Sequence, residues 1–307
     1  MTEIEKFYEE LDKAYSTNDL KEIERFLLER RWYFYEQGQL ELMPRSCAAC
    51  VPEPQPNLDF VSVCNELACF YRGLSRWKES MDNFTGAVNE LKRFHLDDTP
   101  NYAMVLLNMA GTCRLMGEKE KALENFTQAE EIFKGNGVDN PYVYASLYNN
   151  IALVYQDMGE SDSALKYLLL ALENIEKTPE NVTELGSTCN NLAALYISKN
   201  EPDKAHEYVE RAISALRQAG DEAHYPAALN TRGTLSFRSG DYAAALEDFS
   251  AALELTERVY GKSVEYISGC ENCARACDKL GDAQRAAQYR QNADNARELV
   301  KGQNSKS

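Results

Sequence analysis

The sequence predicts an all-α protein, a right-handed superhelical solenoid of antiparallel helix pairs. Its 307 residues repeat with a period of about 41 residues, which is typical of arrays that stack one helical unit on the next. The repeat is marked by six small residues that lie 40 to 42 residues apart: Ala68, Ala110, Ala152, Ala193, Gly233 and Ala274. Seven residues after each of them stands a residue that favours turns: Ser75, Gly117, Gly159, Asn200, Gly240 and Gly281.

Each copy of the repeat is expected to form two helices joined by a tight turn. In the third copy Tyr148, Ile151 and Tyr155 recur at helical spacing, and Gly159 then ends the first helix. We call the six small residues of the first helices the markers. Small residues recur in the second helix as well, twelve residues after each marker: Ser80, Ala122, Ala164, Ala205, Ala245 and Ala286. Two helix axes approach closely only where the side chains are short, so these columns predict where the helices of a pair meet.

The six helix pairs are predicted to occupy residues 59–301. Residues 1–42 show apolar residues at helical spacing around a polar break, which predicts a further helix pair, a degenerate repeat that caps the N-terminal end. Residues 43–58 contain four of the nine prolines and are expected to form an irregular loop. Residues 302–307 are expected to be a disordered tail.

The pattern resembles the tetratricopeptide repeat, whose consensus combines a large residue, Leu-Gly or Leu-Ala, a Tyr, and an Ala and Phe four apart. In copy four the matching residues are Cys189, Leu192, Ala193, Tyr196 and Ala205. In copy two they are Leu106, Met109, Ala110, Ala122 and Phe126. The period is longer than the usual figure of about 34 residues and is similar to that of kinesin-light-chain repeats and their bacterial relatives. The resemblance covers about residues 60–300.

Two copies depart from that consensus. Arg232 stands where copy five should have a leucine, and Arg290 stands where copy six should have a phenylalanine. We therefore expect copy five to pack less tightly. Copy six is expected to act as a terminal repeat with a more polar outer face.

The charge of the chain disfavours nucleic acid and membranes as partners. The sequence has 49 acidic and 33 basic residues, a formal net charge of -16, whereas phosphate backbones and anionic lipids attract clustered Lys and Arg. No stretch approaches the roughly 18 apolar residues of a membrane helix, and the first residues are unlike a secretory signal. The nine cysteines fit reduced thiols better than a disulfide framework. We expect a cytoplasmic protein.

Patterns of enzymes and metal sites are weak in this sequence. Cys270, Cys273 and Cys277 occupy columns that hold core residues in the other copies, so they are expected to pack as small hydrophobes. Cys47 and Cys50 leave a metal or redox role open, and an incidental pair of reduced thiols is the alternative. No phosphate-binding glycine loop and no hydrolase motif occurs. We expect a non-catalytic protein without a metal or cofactor.

Eight asparagines on the first helices are the main candidates for a binding site. At 100° per residue, the column two positions before the marker lies opposite the core-facing columns, and the column three before lies toward the seam between helices. The first column holds Asn108, Asn150, Asn191 and Asn272, and the second holds Asn65, Asn149, Asn190 and Asn230. We call these eight residues the asparagine lane. Asn forms helices about 0.6–0.7 kcal/mol less readily than Ala, so the lane needs a compensating role.

Two roles for the lane remain open, and they are compatible. The amides form a ladder that fixes the stacking of neighbouring repeats, or they present paired donors and acceptors to the backbone of an extended peptide. In a stacked solenoid this face is concave and continuous, which is the usual binding surface of such arrays. The resemblance to kinesin-light-chain repeats implies peptide contact for the asparagines of the first column.

Charged residues beside the lane suggest the character of the ligand. Arg114 and Arg238 are the candidate anchors, Asp157 supplies the opposite charge, and the face as a whole is much less acidic than the molecule. A neutral-to-acidic peptide fits this balance, and ion pairs within or between helices are the alternative role of the arginines.

The sequence therefore predicts an adaptor or scaffold that binds a protein or an extended peptide in the concave groove. The alternative is a peptide-sensing regulatory receptor, similar to the Rap type, whose superhelix changes pitch when the ligand binds.

Overall fold

The computed structural model describes residues 2–17, 19–42 and 55–304, and these contain fourteen helices and no strand. The predicted all-α class is confirmed.

The chain divides into two compact units, Met1–Asp139 and Asn140–Ser307. The first unit contains α1 (Glu3–Ser16), α2 (Leu20–Leu42), α3 (Leu58–Gly73), α4 (Trp77–Arg93), α5 (Pro100–Leu115) and α6 (Lys119–Gly135). The second unit contains α7 (Pro141–Met158), α8 (Ser161–Ile175), α9 (Val182–Ser198), α10 (Pro202–Ala219), α11 (Tyr225–Ser239), α12 (Tyr242–Tyr260), α13 (Val264–Leu280) and α14 (Ala283–Asn304).

The helices pack in consecutive pairs, as the repeat predicts. Each odd-numbered helix packs on the even-numbered helix that follows it, and within each unit successive pairs also contact one another. Helices α1 and α2 occupy the segment for which the sequence predicted an N-terminal pair. The predicted proline-rich loop lies mostly outside the described residues. Helix α14 ends at Asn304, inside the segment that was expected to be a tail.

The small residues lie where the two helices of a pair meet. All six markers are buried in the first helices, and the small residues at the corresponding positions of the second helices are buried as well. Ser80 is the one hydroxyl residue in the latter column, and its Oγ donates to Ala68 O at 2.8 Å and lies 3.2 Å from Thr112 Oγ1. Its polar atom is therefore satisfied by the two helices beside it.

The six turn residues share one backbone conformation. Each has a positive φ, which is 57° at Ser75, 59° at Asn200 and between 79° and 88° at the four glycines. The first helix of each pair ends in this left-handed turn, so the chain reverses within a few residues and the second helix folds back. Glycine adopts this conformation without strain, whereas serine lacks that freedom.

Copy five shows how close the helices approach. A Cβ added to Gly233 would lie 2.7 Å from Phe249 Cε1 and 3.2 Å from Asp248 Cβ. Phe249 is 3% exposed and belongs to a core cluster, so a shift of its ring would disturb the packing around it. Glycine is therefore the residue that this copy requires at the marker position.

Arg232, which stands where the consensus has a leucine, makes a polar contact at the same seam between the two helices of copy five. Arg232 Nε and Nη2 donate to the two carboxylate oxygens of Asp248, at 2.9 Å and 2.7 Å, and Nη1 lies 3.4 Å from Glu210 Oε1. The Asp248 carboxylate raises the pKa of Arg232. The fork-like contact satisfies both oxygens of a carboxylate that is otherwise buried.

The contact at Gly233 predicts that Gly233→Ala lowers the free energy of unfolding by about 1–3 kcal/mol, because the new methyl group overpacks the seam. Gly135→Ala is the matched control, since nothing lies within 4 Å of its added Cβ and its φ is negative. It should change stability by less than about 1 kcal/mol. Urea unfolding followed by circular dichroism measures both variants, and equal effects would show that the seam is not tightly packed.

The turn conformation predicts that Ser75→Gly raises the free energy of unfolding by about 0.5–1 kcal/mol. Relief of the left-handed strain, about 1–2 kcal/mol, outweighs the backbone entropy of glycine, about 0.5–1 kcal/mol. Asn200→Gly should be closer to neutral, because asparagine tolerates this region. Thermal melting gives the comparison, and a lower melting temperature for Ser75→Gly would contradict it.

Candidate functional site

The asparagine lane lies on first helices that run side by side within each unit. Helix α3 contacts α5 in the first unit, and α7 contacts α9 and α9 contacts α11 in the second. All eight asparagines are half-buried, neither in the core nor fully in water. The columns that flank the lane are mostly exposed or half-buried, while those on the opposite side of each helix form the core. Each first helix therefore carries an apolar face and an accessible polar face.

Several amides of the lane connect neighbouring first helices. Asn108 Nδ2 donates to Asn65 Oδ1 at 3.0 Å, which joins α5 to α3. Between α9 and α7, Asn191 Nδ2 lies 3.5 Å from Asn149 Oδ1, and Asn149 Nδ2 donates to Thr188 Oγ1 at 2.6 Å. These contacts give the lane a structural role, because an amide pair fixes the position of one repeat against the next.

The other amides contact their own helix or leave hydrogen-bonding atoms unused. Asn150 Nδ2 donates to Ser146 O at 2.8 Å, and Asn272 Oδ1 lies 3.5 Å from Arg275 Nη1. The buried Oδ1 atoms of Asn190 and Asn230 have no hydrogen-bond partner among the residues described. A buried acceptor without a donor is costly, and these two oxygens are buried from solvent as well. The amides of Asn150 and Asn191 are the ones whose hydrogen-bonding atoms the repeats use only in part.

The arginines beside the lane reach backbone carbonyls of neighbouring first helices. Arg72 Nη1 donates to Asn108 O at 3.0 Å, and Arg238 Nη1 donates to Ile197 O. Arg114 is half-buried near the end of α5, and Asp157 is exposed near the end of α7. The sequence offered ion pairs as the alternative role for Arg238, and the structure shows a carbonyl contact instead.

The space at Gly111 is occupied. The sequence suggested that small residues one position after the marker leave room for a guest chain. A Cβ on Gly111 would lie 3.0 Å from Arg72 Nη1, so in the first unit this room is filled by the arginine that crosses from α3 to α5. Glycine at this position serves the contact between repeats.

Helix α1 brings two tyrosines to α3, which the sequence analysis did not anticipate. Burial raises the pKa values of Tyr8 and Tyr15, and the negative charge of Glu66 on α3 raises both further. Glu66 belongs to the same column as Asn108. The spacing of seven residues between the tyrosines, two helical turns, places both on one face of α1. That spacing was the available signal, but sequence alone did not indicate which helix this face meets.

Most cysteines of the described residues are packed in the core. Cys270, Cys273 and Cys277 are fully buried, as the sequence predicts. Burial raises the pKa of the Cys273 thiol to about 12 and that of Cys64 to about 11, so both stay protonated and unreactive at neutral pH.

No three His, Cys, Asp or Glu side chains of the described residues converge as a metal ion would require. Cys47 and Cys50, for which a metal or redox role was left open, lie outside the described residues. No helix in the described part of the chain is both long and apolar enough to span a bilayer.

Family models identify the repeat. A model of the tetratricopeptide repeat matches residues 62–135 and 143–218, and a second model with the same description matches residues 227–263. Together they cover more than half of the chain. The chain belongs to the tetratricopeptide repeat family. It has no match among curated proteins.

Solved structures with the same fold include proteins crystallised with ligands. A Rap protein complexed with competence and sporulation factor has a TM-score of 0.68 and 16% identity over 97% of this chain and 75% of its own. NprR in complex with its cognate peptide NprX has a TM-score of 0.56 and 18% identity over 96% of this chain and 78% of its own. A putative kinesin light chain with nearly identical TPR-like repeats from Podosopora anserina has a TM-score of 0.50 and 16% identity over 68% of this chain and 99% of its own. At this identity the likeness concerns the fold.

The amide pairs predict an interaction energy that a double-mutant cycle measures. We expect the effects of Asn65→Ala and Asn108→Ala on the free energy of unfolding to depart from additivity by about 0.5–1.5 kcal/mol, the usual net value of one hydrogen bond. The Asn149 and Asn191 pair is the comparison, because its 3.5 Å separation is at the limit of a hydrogen bond and its coupling should be smaller. Urea unfolding of the single and double variants gives both values. Additive effects at Asn65 and Asn108 would show that the short contact does not stabilise the stacking.

Proposed function

We propose that this protein is a non-catalytic adaptor or scaffold that binds an extended segment of a partner protein along the part of the asparagine lane that lies within one unit. The observation that carries the proposal is the unused hydrogen-bonding capacity of half-buried amides on consecutive first helices. The amides of Asn150 and Asn191, whose hydrogen-bonding atoms the repeats use only in part, suit a peptide backbone, which presents donors and acceptors in alternation.

The geometry of stacked helices suits an extended peptide. Packed helices lie about 8–10 Å apart, and an extended chain advances about 3.3–3.6 Å per residue. Successive first helices would therefore meet every third peptide residue or so. Asn150 on α7 and Asn191 on α9 are the best candidates for such contacts, because Asn150 Oδ1 accepts no hydrogen bond from the described residues and the Asn191 amide makes only a long one.

Small side chains beside these amides support access to the helix. Ser187 and Ala194 flank Asn191 on α9, and neither is buried in the core. A peptide backbone can approach a helix closely only where such short side chains line it. Larger side chains of the partner would then lie between the amide contacts, where they supply the apolar part of the binding energy.

Two residues of opposite charge lie on different first helices of the proposed groove in the second unit. Asp157 lies near the end of α7 and Arg238 near the end of α11, so the groove carries opposite charges on different first helices. We propose that Arg238 and, in the first unit, Arg114 anchor acidic groups of the partner. Arg238 already donates to Ile197 O through one nitrogen, and a guanidinium has further donors for a carboxylate.

A peptide-sensing receptor is the second candidate function. The observation that favours it is the likeness in fold, along nearly the whole chain, to a Rap protein complexed with competence and sporulation factor and to NprR in complex with its cognate peptide NprX. A sensor differs from an adaptor because its ligand must bind one arrangement of the repeats better than another.

The proposal predicts that Asn150→Leu combined with Asn191→Leu weakens partner binding without unfolding the protein. Loss of two hydrogen bonds of about 0.5–1.5 kcal/mol each weakens affinity by about 5- to 150-fold. Affinity purification from cell extract, followed by mass spectrometry, compares the partners retained by the wild type and by the variant. Partners recovered equally by both would contradict the proposal.

Asn174→Leu is the matched control for this experiment. Asn174 lies on the second helix α8, and its Nδ2 donates to Leu170 O at 2.8 Å, the same contact and distance that Asn150 makes with Ser146 O. This variant should keep the partners. When the bound segment of a retained partner is added as a peptide, X-ray scattering separates the two functions: an unchanged radius of gyration indicates the adaptor, and contraction indicates the sensor.

A further inference from the structure

A cavity of about 330 Å³ lies between α11 and α12, the two helices of copy five. Its apolar part is formed by Leu229 of α11 and by Ala251 and Leu255 of α12, which belong to a buried cluster or pack against it. Leu229 stands four positions before the marker Gly233, in a column that faces the core, so the cavity lies apart from the asparagine lane. Its volume is within the range of small ligand sites, about 300–1,000 Å³. We call it the copy-five cavity.

Copy three shows what fills this space in another repeat of the same unit. The ring centroid of Tyr148 lies 6.1 Å from that of Tyr144 and 5.9 Å from that of Tyr167, so the three rings form a continuous cluster. These tyrosines stand four and eight positions before the marker and fifteen after it. In copy five the same columns hold three residues that line the cavity: Tyr225, Leu229 and Asp248. Copy five therefore keeps one ring of the cluster and lacks the other two, which leaves room for a guest ring beside the one that remains.

The arginine that replaces the consensus leucine of copy five also lines the cavity. Arg232 donates to both carboxylate oxygens of Asp248, at 2.9 Å and 2.7 Å, through nitrogens on one edge of its planar group. The faces of a guanidinium stack readily on aromatic rings. Copy four contains such a contact: the Arg211 guanidinium carbon lies 5.7 Å from the ring centroid of Tyr208, and Tyr208 stands in the Asp248 column. Arg232 has no aromatic ring over it among the residues that the structure describes.

The rim of the cavity favours a hydrogen-bond donor. Glu247 and Glu254 of α12 line the cavity and are exposed, and neither makes an ion pair or a hydrogen bond with the described residues. Arg258 also lines the cavity, but it pairs with Glu222 at 2.7 Å. A guest with a hydroxyl group therefore meets unused acceptors, whereas a guest carboxylate is repelled.

We propose that the copy-five cavity binds the phenol ring of a tyrosine side chain on a partner protein. The ring takes the position that Tyr148 has in copy three, with Tyr225 as its aromatic neighbour and the face of Arg232 against it. Its hydroxyl donates to Glu247 or Glu254 at the rim. This site goes beyond the proposed function, because it lies on another face of α11 and uses none of the lane amides.

Displacement of a fluorine-labelled tyrosine tests the proposal. The full-length protein is mixed with N-acetyl-3-fluorotyrosine amide, and binding is followed by broadening of the fluorine resonance of this probe. We expect saturable binding that unlabelled N-acetyl-tyrosine amide reverses. N-acetyl-cyclohexylalanine amide, which has a similar shape but no aromatic faces and no hydroxyl group, should compete at least fivefold more weakly. Equal competition by the two compounds, or no saturable binding, would overturn the proposal.

Two substitutions on α12 locate the site. Ala251→Leu introduces into the cavity the side chain that copy three has in the same column, Leu170, and should weaken binding of the probe at least tenfold. Ala243→Leu adds the same atoms at an exposed position of the same helix, outside the cavity, and should leave binding within twofold. Equal losses in both variants would overturn the site. The fold of each variant is checked by circular dichroism.

A double variant tests the site without added bulk at Ala251. Arg232→Leu combined with Asp248→Tyr restores the residues that copy four has in these columns, Leu192 and Tyr208. Replacement of a buried ion pair by well-packed apolar groups is often neutral for stability, so we expect a folded protein whose own ring occupies the cavity. The probe should no longer bind. Binding at wild-type strength would contradict the proposal.

Two further comparisons identify the source of the ring and keep the two proposals apart. Free tyrosine that binds at least tenfold more tightly than blocked tyrosine would overturn the assignment to a partner side chain. Binding of the probe should be unchanged when Asn150→Leu and Asn191→Leu are combined, and its loss there would place the probe on the lane and overturn the cavity. Partner capture that depends on the lane, without binding of the probe, overturns the cavity alone. Binding of the probe that Ala251→Leu abolishes, with partners unaffected by the changes at Asn150 and Asn191, supports the cavity and overturns the lane.

Discussion

Close contact between the two helices of each pair is the constraint on which the rest of the structure depends. It is made at columns of small residues, alanine, glycine and one serine, that are buried in every copy, and at Gly233 the ring of Phe249 leaves no room even for a methyl group. Since dispersion forces act only at short range, the many contacts around these columns require the helices to be this close. The same contact recurs along the chain, so stability arises from neighbouring repeats in each unit.

This constraint decides what the other face of each first helix can do. The pairing contact occupies one side, and the opposite side is left with amides, hydroxyls and short side chains that are half-buried. Amides there serve two purposes. Asn65 and Asn108 connect α3 to α5, while Asn190 and Asn230 keep buried acceptors without donors among the residues described. The lane is therefore used in part for stacking between repeats, and the proposed partner would pair with amides that are only partly used, such as that of Asn150.

The features that follow a fixed period were predictable from the sequence. The turn column was expected from residue type, and every member has positive φ, including Ser75 and Asn200. Burial of Cys270, Cys273 and Cys277 followed from their columns. The contacts between repeats were not predictable: Arg72 crosses to Asn108 O, Arg238 to Ile197 O, and Asn149 pairs with Thr188. Long side chains have many rotamers, and the one adopted depends on groups some 40 residues away in the chain.

By itself, the sequence determined that this chain forms helix pairs, where each pair turns, and which residues are buried, because these properties depend on helical periodicity and on the conformational range of single residues. Only the tertiary structure decided which polar groups of the accessible face bond to neighbouring repeats and which do not. It also buried part of Tyr8 and Tyr15 and brought them within range of the charge of Glu66, and both effects raise the pKa values of the two tyrosines. Both outcomes depend on the offset between helices that are distant in sequence, and helical period alone does not define that offset.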